Sequence, residues 1–215
     1  MDDLAVLVPV LDRPQNVVPL LESFHASGAP GRLVFLASYD DARELDVLEG
    51  HDHLVDTWLT WPEKIAGGVS RVDAEWYLLA ADDISFERGW WEATERFRSG
   101  HAQVIGTNDG ANPRCSISGI HTTHALVHRD FHAMGETESP VCPKFHHWYA
   151  DDELCWTAKA RGVWAWCEQA RITHHHPYFD QSVPLDDTYR LGEKYRAEDH
   201  ALWVERAQML GLGVG

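Results

Sequence analysis

The 215-residue chain is 44% hydrophobic, enough for a substantial core, and no linker or repeat divides it, so a single domain is the simplest reading. Its 34 acidic against 18 Lys and Arg residues give a formal charge of -16, which disfavours a general grip on duplex DNA unless a local patch reverses the field. A nucleotide held through a carboxylate-bound cation stays open.

The opening run Leu4–Leu11 is short, its neighbourhood lacks Lys and Arg before Arg13, and no stretch approaches the ~20 apolar residues of a membrane span, so a cytoplasmic protein is expected. Residues 4–10 read as a buried parallel strand. Pro14 is placed to open a helix, and Val17, Leu20, Leu21 and Phe24 form one helical stripe ended by Gly28 and Pro30. Leu33–Ala37, Ala42–Leu48 and His53–Trp58 continue as strand, helix and strand. This alternation predicts an α/β fold with a mostly parallel sheet and ligands at its carboxyl edge. Pro62–Val72 reads as a helix in which Gly67 and Gly68 let backbone approach a ligand. Glu75–Ala81 is a buried strand ending on Asp82-Asp83. Gly89–Arg98 is helical and His101–Gly106 strand-like, and Thr107–Ile120 suggests loops with a small hairpin. Ala150–Arg161 is a helix, Val163–Cys167 a strand, and 186–210 one or two terminal helices.

Several clusters carry candidate chemistry. Adjacent carboxylates at 82 and 83 raise one another's pKa unless a cation shares the space, so they read as a Mg²⁺ or Mn²⁺ site or as a solvated turn. Asp151-Asp152-Glu153 either cap a helix or supply a general base. In an extended run His174 and His176 share one face and His175 the other. A zinc site from Cys142, His146, His147 and Cys155 matches no compact finger spacing, and a thiol site at Cys115 has no supporting motif. Glycine-rich dinucleotide and phosphate loops are missing from the sequence. Trp58, Trp61, Trp90, Trp91 and Trp148 lie near candidate loops, where an indole either stacks on a sugar or base or fills core.

Taken together, Arg13-Pro14, Asn16, Asp40-Asp41, Lys64, LLAADDISFERGWW and YADDELCWTAKARG resemble nucleotide-sugar glycosyltransferases of the GT-A fold. The resemblance is closest to small family 2 type enzymes of phages and bacteria and runs from about residue 4 to 178. It implies a Rossmann-like mixed sheet flanked by helices in one catalytic domain spanning 1–215. The nucleotide half would cover about 1–106, the acceptor half about 107–180 and a helical extension about 186–210. The same resemblance maps nucleobase and ribose contacts to Pro9, Arg13 and Asp40 or Asp41, with Lys64 assisting. Its D-x-D motif is shortened here to Ala81-Asp82-Asp83, making Asp83 the metal ligand and Asp82 its neighbour at the sugar diphosphate. His174, with His176 as alternate, matches the late metal-binding histidine. The base maps to Asp151, with Asp152 as competitor. His121, Thr122, Thr123, His124 and Trp148 would line the sugar or acceptor pocket.

The implied reaction is inverting transfer from a UDP-sugar, with Mn²⁺ or Mg²⁺, to an acceptor hydroxyl on a modified DNA base, a glycan, a protein or a lipid-linked sugar. The rival readings are a nucleotidyltransferase or pyrophosphorylase, and a non-catalytic carbohydrate-binding module.

Overall fold

The computed structural model describes residues 2–136 and 138–211. Strands β1 (Asp2–Pro9), β2 (Arg32–Ser38), β3 (His53–Asp56) and β4 (Ala74–Leu79) alternate with helices α1 (Val17–Ser27), α2 (Ala42–Leu48) and α3 (Trp61–Arg71). Then follow β5 (Ile84–Phe86), α4 (Trp90–Ala93), α5 (Glu95–Arg98), β6 (Val104–Asn108), α6 (Pro113–Ser116) and β7 (Ala125–His128). The chain closes with α7 (Ala150–Ala160), β8 (Trp164–His174) and α8 (Asp187–Met209).

The eight strands form one mixed sheet in the order β3-β2-β1-β4-β7-β6-β8-β5. Strands β1 to β4 are mutually parallel, β7 runs antiparallel between β4 and β6, and β8 is parallel to β6. Alternate residues of β1 feed opposite cores: Leu4, Val6 and Val8 pack with α1 and α4 residues, Ala5 and Leu7 with α3 and α7 residues. Two covered faces explain the near-continuous apolar run.

Three local outcomes differ from the sequence expectations. Gly67 and Gly68 serve packing rather than a ligand: a Cβ on Gly67 would lie 2.1 Å from the Trp58 indole, and one on Gly68 2.9 Å from Leu36. The expected helix 89–98 breaks at Thr94, whose hydroxyl donates to the Trp91 carbonyl. The region 107–120 forms no hairpin; Asn112 caps the single turn of α6 instead.

One pairing positions the site. The first part of β8 follows β6, and its end pairs antiparallel with β5, setting His174 opposite Ile84. The residue after Asp83 is thus hydrogen-bonded into register with a histidine 90 positions later.

Candidate active site

Asp82 and Asp83 follow β4 at the carboxyl edge of the parallel strands; Asp82 is buried and the Asp83 side chain is only 8% exposed. The turn after β1 swings Arg13 across them. Its Nη1 lies 3.1 Å from Asp82 Oδ1 and 3.3 Å from Asp83 Oδ2. Nε and Nη2 donate in a fork to Asp186, at 2.8 and 2.9 Å, just before α8. The guanidinium lies 3.9 Å from the Tyr189 ring centroid, and the Tyr189 hydroxyl donates to Asp83 Oδ2 at 2.6 Å.

These contacts split the pair. Burial and the neighbouring Asp83 hold Asp82 above the carboxylate range, with Arg13 offsetting only part. Burial pushes Asp83 upward too, but His174, Tyr189 and Arg13 outweigh it and keep Asp83 ionised. His174 Nε2 stands 3.3 Å from Asp83 Oδ1, yet Oδ1 and His174 Nδ1 have no hydrogen-bond partner among the described residues. A spacing of 3.3 Å suits two adjacent ligands on a cation whose bonds are about 2.0–2.1 Å long. The donor set and its orphaned atoms therefore fit Mg²⁺ or Mn²⁺.

His176 packs 5.0 Å from the His174 ring and 4.8 Å from Tyr189; burial and then His174 push it down to about 4. His124 lies 4.7 Å from His174 on the other side, fully enclosed, with both ring nitrogens unpartnered. Burial, then His174, push His124 down to about 4, and it feels the charges of both Asp83 and Asp151.

Along the rest of this edge, Pro9 is buried at the end of β1. Asp41 caps α2 and accepts the Asp12 backbone N–H, whereas Asp40 is exposed and makes no side-chain hydrogen bond to a described residue. Lys64 is buried with Nζ on the Val10 carbonyl at 2.6 Å; burial lowers its pKa. Sequence reasoning missed Glu44. It is fully buried, accepts the Arg13 N–H through Oε1 and leaves Oε2 unpartnered. In the sequence it looks like an ordinary first-turn acid of α2.

The second acidic pair opens α7. Tyr149 precedes it in the left-handed region at φ 66°, turning the chain into the helix. Asp151 Oδ2 accepts from His121 Nε2 at 3.0 Å, and Asp152 Oδ1 pairs with Arg114 Nη2 at 2.5 Å. Burial raises Asp151, but His121 outweighs it and holds the carboxyl below its ordinary range. Asp152 is shifted up by burial and by Asp151. His121, Asp151 and Asp152 each offer a ligand atom within 4.8 Å of the others. His121 is the trio's own cation and Arg114 stands against Asp152, so ion pairing accounts for its compactness. A narrow crevice beside Asp151 is lined by Trp61, Leu79, Thr122, Thr123 and Leu154.

Thr122 bonds the Thr107 N–H and the His124 carbonyl, and Thr123 donates to buried Asp109. Trp148 donates to the Gly192 carbonyl, with Arg196 over its ring and Tyr178 stacked at 6.4 Å. Its contacts thus tie the loop before α7 to α8. Two buried carboxylates do the same: Asp199 accepts the N–H groups of His146, His147 and Trp148, and Glu153 pairs bidentately with Arg206. The supporting role of α8 on both sides went unread in the sequence. Trp90 and Trp91 are core residues, and Arg129 pairs with Asp73. Cys142 and Cys155 belong to different core clusters, so the four candidate zinc ligands are not gathered. Cys115 is buried and its thiol is pushed up by burial and Asp109, the opposite of a nucleophile.

No protein-family model and no curated protein matches the chain. Solved structures do. A mannosyltransferase of Pyrobaculum calidifontis, solved with GDP-Man and Mn²⁺, superposes with TM-score 0.64 at 13% identity, covering 95% of this chain and 64% of that one. The chain has the GT-A fold. S. aureus TarS 1-349 superposes at TM-score 0.60 and 13% identity, covering 81% and 61%, and TarS has also been solved with UDP. The catalytic domain of Drosophila β1,4-galactosyltransferase 7, in complex with xylobiose, gives 0.55 and 13%, covering 88% and 79%. The chain spans less than two thirds of the length of the first two. Among the described residues no helix is long and apolar enough to cross a membrane.

Proposed function

We propose that this chain is an inverting glycosyltransferase that moves a sugar from a UDP-sugar to an acceptor hydroxyl, with Mn²⁺ or Mg²⁺ held by Asp83 and His174. The observation that carries the reading is the orphaned Asp83 Oδ1 beside His174 at the carboxyl edge of the sheet. Support comes from neighbours of the same fold, one solved with GDP-Man and Mn²⁺ and one with UDP.

When bound, the divalent cation would neutralise the diphosphate as it departs. The chain's own residues do the rest. Asp83 and His174 would hold the cation, His174 first giving up the proton that Asp83 favours on it, and His176 and His124, kept neutral by burial, add no competing charge. We assign Asp40, exposed beside the capped start of α2, to the nucleobase or ribose, with Pro9 and Lys64 shaping the edge. We assign Asp82 to the diphosphate and Arg13, ion-paired to it at 3.1 Å, to the adjoining nucleotide edge. Asp151 is ionised and 30% of its side chain is exposed, so it can take the acceptor proton as the acceptor oxygen attacks the anomeric carbon from the face opposite the leaving group. Asp152, paired to Arg114, supports the helix start. The acceptor, whether glycan, protein or modified DNA base, approaches from the side of residues 107–180.

The test is a panel of nucleotide sugars read by release of nucleoside diphosphate with and without chelator, followed by mass analysis of the product. UDP should compete better than GDP or ADP. Full turnover in chelator, or nucleotide release with no sugar on any acceptor, would overturn metal-dependent transfer.

A further inference from the structure

We infer that His121 is the positioning residue of the base: a buried imidazole wedged between Asp151 and Asp152 that aims the Asp151 carboxylate and keeps it ionised. The inference rests on Asp151 being the base proposed above. His121 lies on the loop between α6 and β7, is 2% exposed, and points both ring nitrogens at α7. Nε2 donates to Asp151 Oδ2 at 3.0 Å. Nδ1 lies 3.6 Å from Asp152 Oδ1, too far for a hydrogen bond, and is otherwise unpartnered. The charged and titratable groups facing the ring are Asp151, Asp152 and Cys155 from α7, with Arg114 of α6 behind Asp152.

Arg114 is engaged by Asp152, which leaves His121 as the direct cationic partner of Asp151 among the described residues. Without it, the Asp152 backbone N–H at 2.9 Å and the more distant Arg114 are left to oppose burial, which favours the protonated acid, and the largest opposing contribution is gone. A protonated carboxyl cannot accept the acceptor's proton. His121 itself is too enclosed to touch the acceptor, while 30% of the Asp151 side chain is exposed. The division of labour follows: as the acceptor oxygen bonds to the anomeric carbon and the bond to the diphosphate breaks, the proton moves to Asp151. His121 keeps its own proton throughout. Burial lowers His121, but Asp151 outweighs it and pushes it up to about 10.

The test compares the parent, His121→Gln and Asp151→Asn. kcat and donor KM are measured against pH, and the His121 ring is titrated by nitrogen-15 NMR. In His121→Gln, donor KM should stay within about two-fold. kcat should fall roughly ten-fold or more, and its acid limb should move up by about one pH unit or more. In the parent, His121 should stay protonated through neutral pH, and Asp151→Asn should lower its pKa. An unmoved acid limb, a neutral His121 at pH 7, or Mn²⁺ broadening centred on His121 would overturn the proposal. If His121→Gln fails to fold, the parent and Asp151→Asn titrations decide alone. Full turnover in Asp151→Asn would remove the base reading, whereas the titration still reports separately on the ion pair.

Discussion

Asp82-Asp83 and Asp151-Asp152 are each an adjacent pair of acids with a buried histidine on one member and an arginine against the pair. In each pair one carboxyl is held down by its histidine and the other is pushed up. They differ in what remains unsatisfied. At the strand end two carboxylate oxygens, Asp83 Oδ1 and Glu44 Oε2, are buried with no hydrogen bond to a described residue, as is His174 Nδ1; at the helix start only a ring nitrogen, His121 Nδ1, is so left, and no carboxylate oxygen of the pair. At the helix start, Asp151 is hydrogen-bonded yet partly exposed, and the acid behind it, Glu153, is closed by Arg206. On the proposed function, the same dipeptide serves as a cation holder where it ends a buried strand and as a proton acceptor where it opens a helix with its side chain partly exposed. Burial without a partner favours an incoming charge, and exposure with a fixed partner favours chemistry on a neutral hydroxyl.

The largest expected effect separates the two sides. Asp83→Asn should remove Mn²⁺ binding and lower transfer by ~10³-fold or more, because a cation clamp on a departing phosphate is worth several kcal/mol. Thermal melts read this without turnover: saturating Mn²⁺ and UDP should stabilise the parent by about 2.7 kcal/mol at a hundred times Kd, and Asp83→Asn hardly at all. Equal shifts in both proteins would erase the distinction between the pairs.

Next comes the closed acceptor side. Arg206→Met leaves Glu153 buried and unpaired between α7 and α8, a loss of about 3–5 kcal/mol. Urea unfolding checks it. A loss under about 1 kcal/mol would mean that the pair does not anchor α7.

Asp151→Asn should cut kcat by at least ~100-fold with donor affinity retained, since the amide can still accept from His121 but cannot take a proton. Asp152→Asn should cost less than about ten-fold, because its contact is with Arg114. Reversed sizes would give Asp152 the base role and break the assignment within the pair.

The alternation of strands and helices through Leu79 was legible in the sequence because two-sided burial writes continuous apolar runs and caps write their own signals. Gly28 ends α1 at φ 78°, and Thr60 with Glu63 opens α3 as a capping box. Strands β5 and β7 were not readable as elements; three and four residues are too few to show a period. The extension of β8 to His174 was hidden as well, since Glu168, Gln169 and Arg171 face solvent. Within the site, adjacency in sequence revealed both acidic pairs, but their partners come from far along the chain. Nothing near residue 13 announces Asp186 and Tyr189, and nothing near 151 announces His121 rather than another of the 14 histidines. Those contacts are set by tertiary folding of α8 and of the loop before β7.

The smallest expected effect concerns Glu44, the buried acid left open on the donor side. Burial raises its pKa, the Arg13 N–H opposes that, and Asp41 adds to it. An acid whose folded pKa lies above its unfolded value binds the proton more tightly in the native state. Its contribution is therefore greatest below the unfolded value of about 4.3 and declines as pH rises through the folded pKa. Glu44→Gln has no such titration, and its amide oxygen can still accept from Arg13. The stability difference, parent minus variant, should fall as pH is raised from 4 to 7. The fall is limited to about 1.4 kcal/mol for every ten-fold by which folding weakens the acid. At pH 7 without ligand the variant should be equal to the parent or slightly more stable. Urea midpoints across pH 4 to 8 read the difference directly. A difference that rises with pH would show Glu44 to be stabilised as an anion by Lys64 and Arg13, and the donor edge would then be as electrostatically closed as the Glu153–Arg206 side.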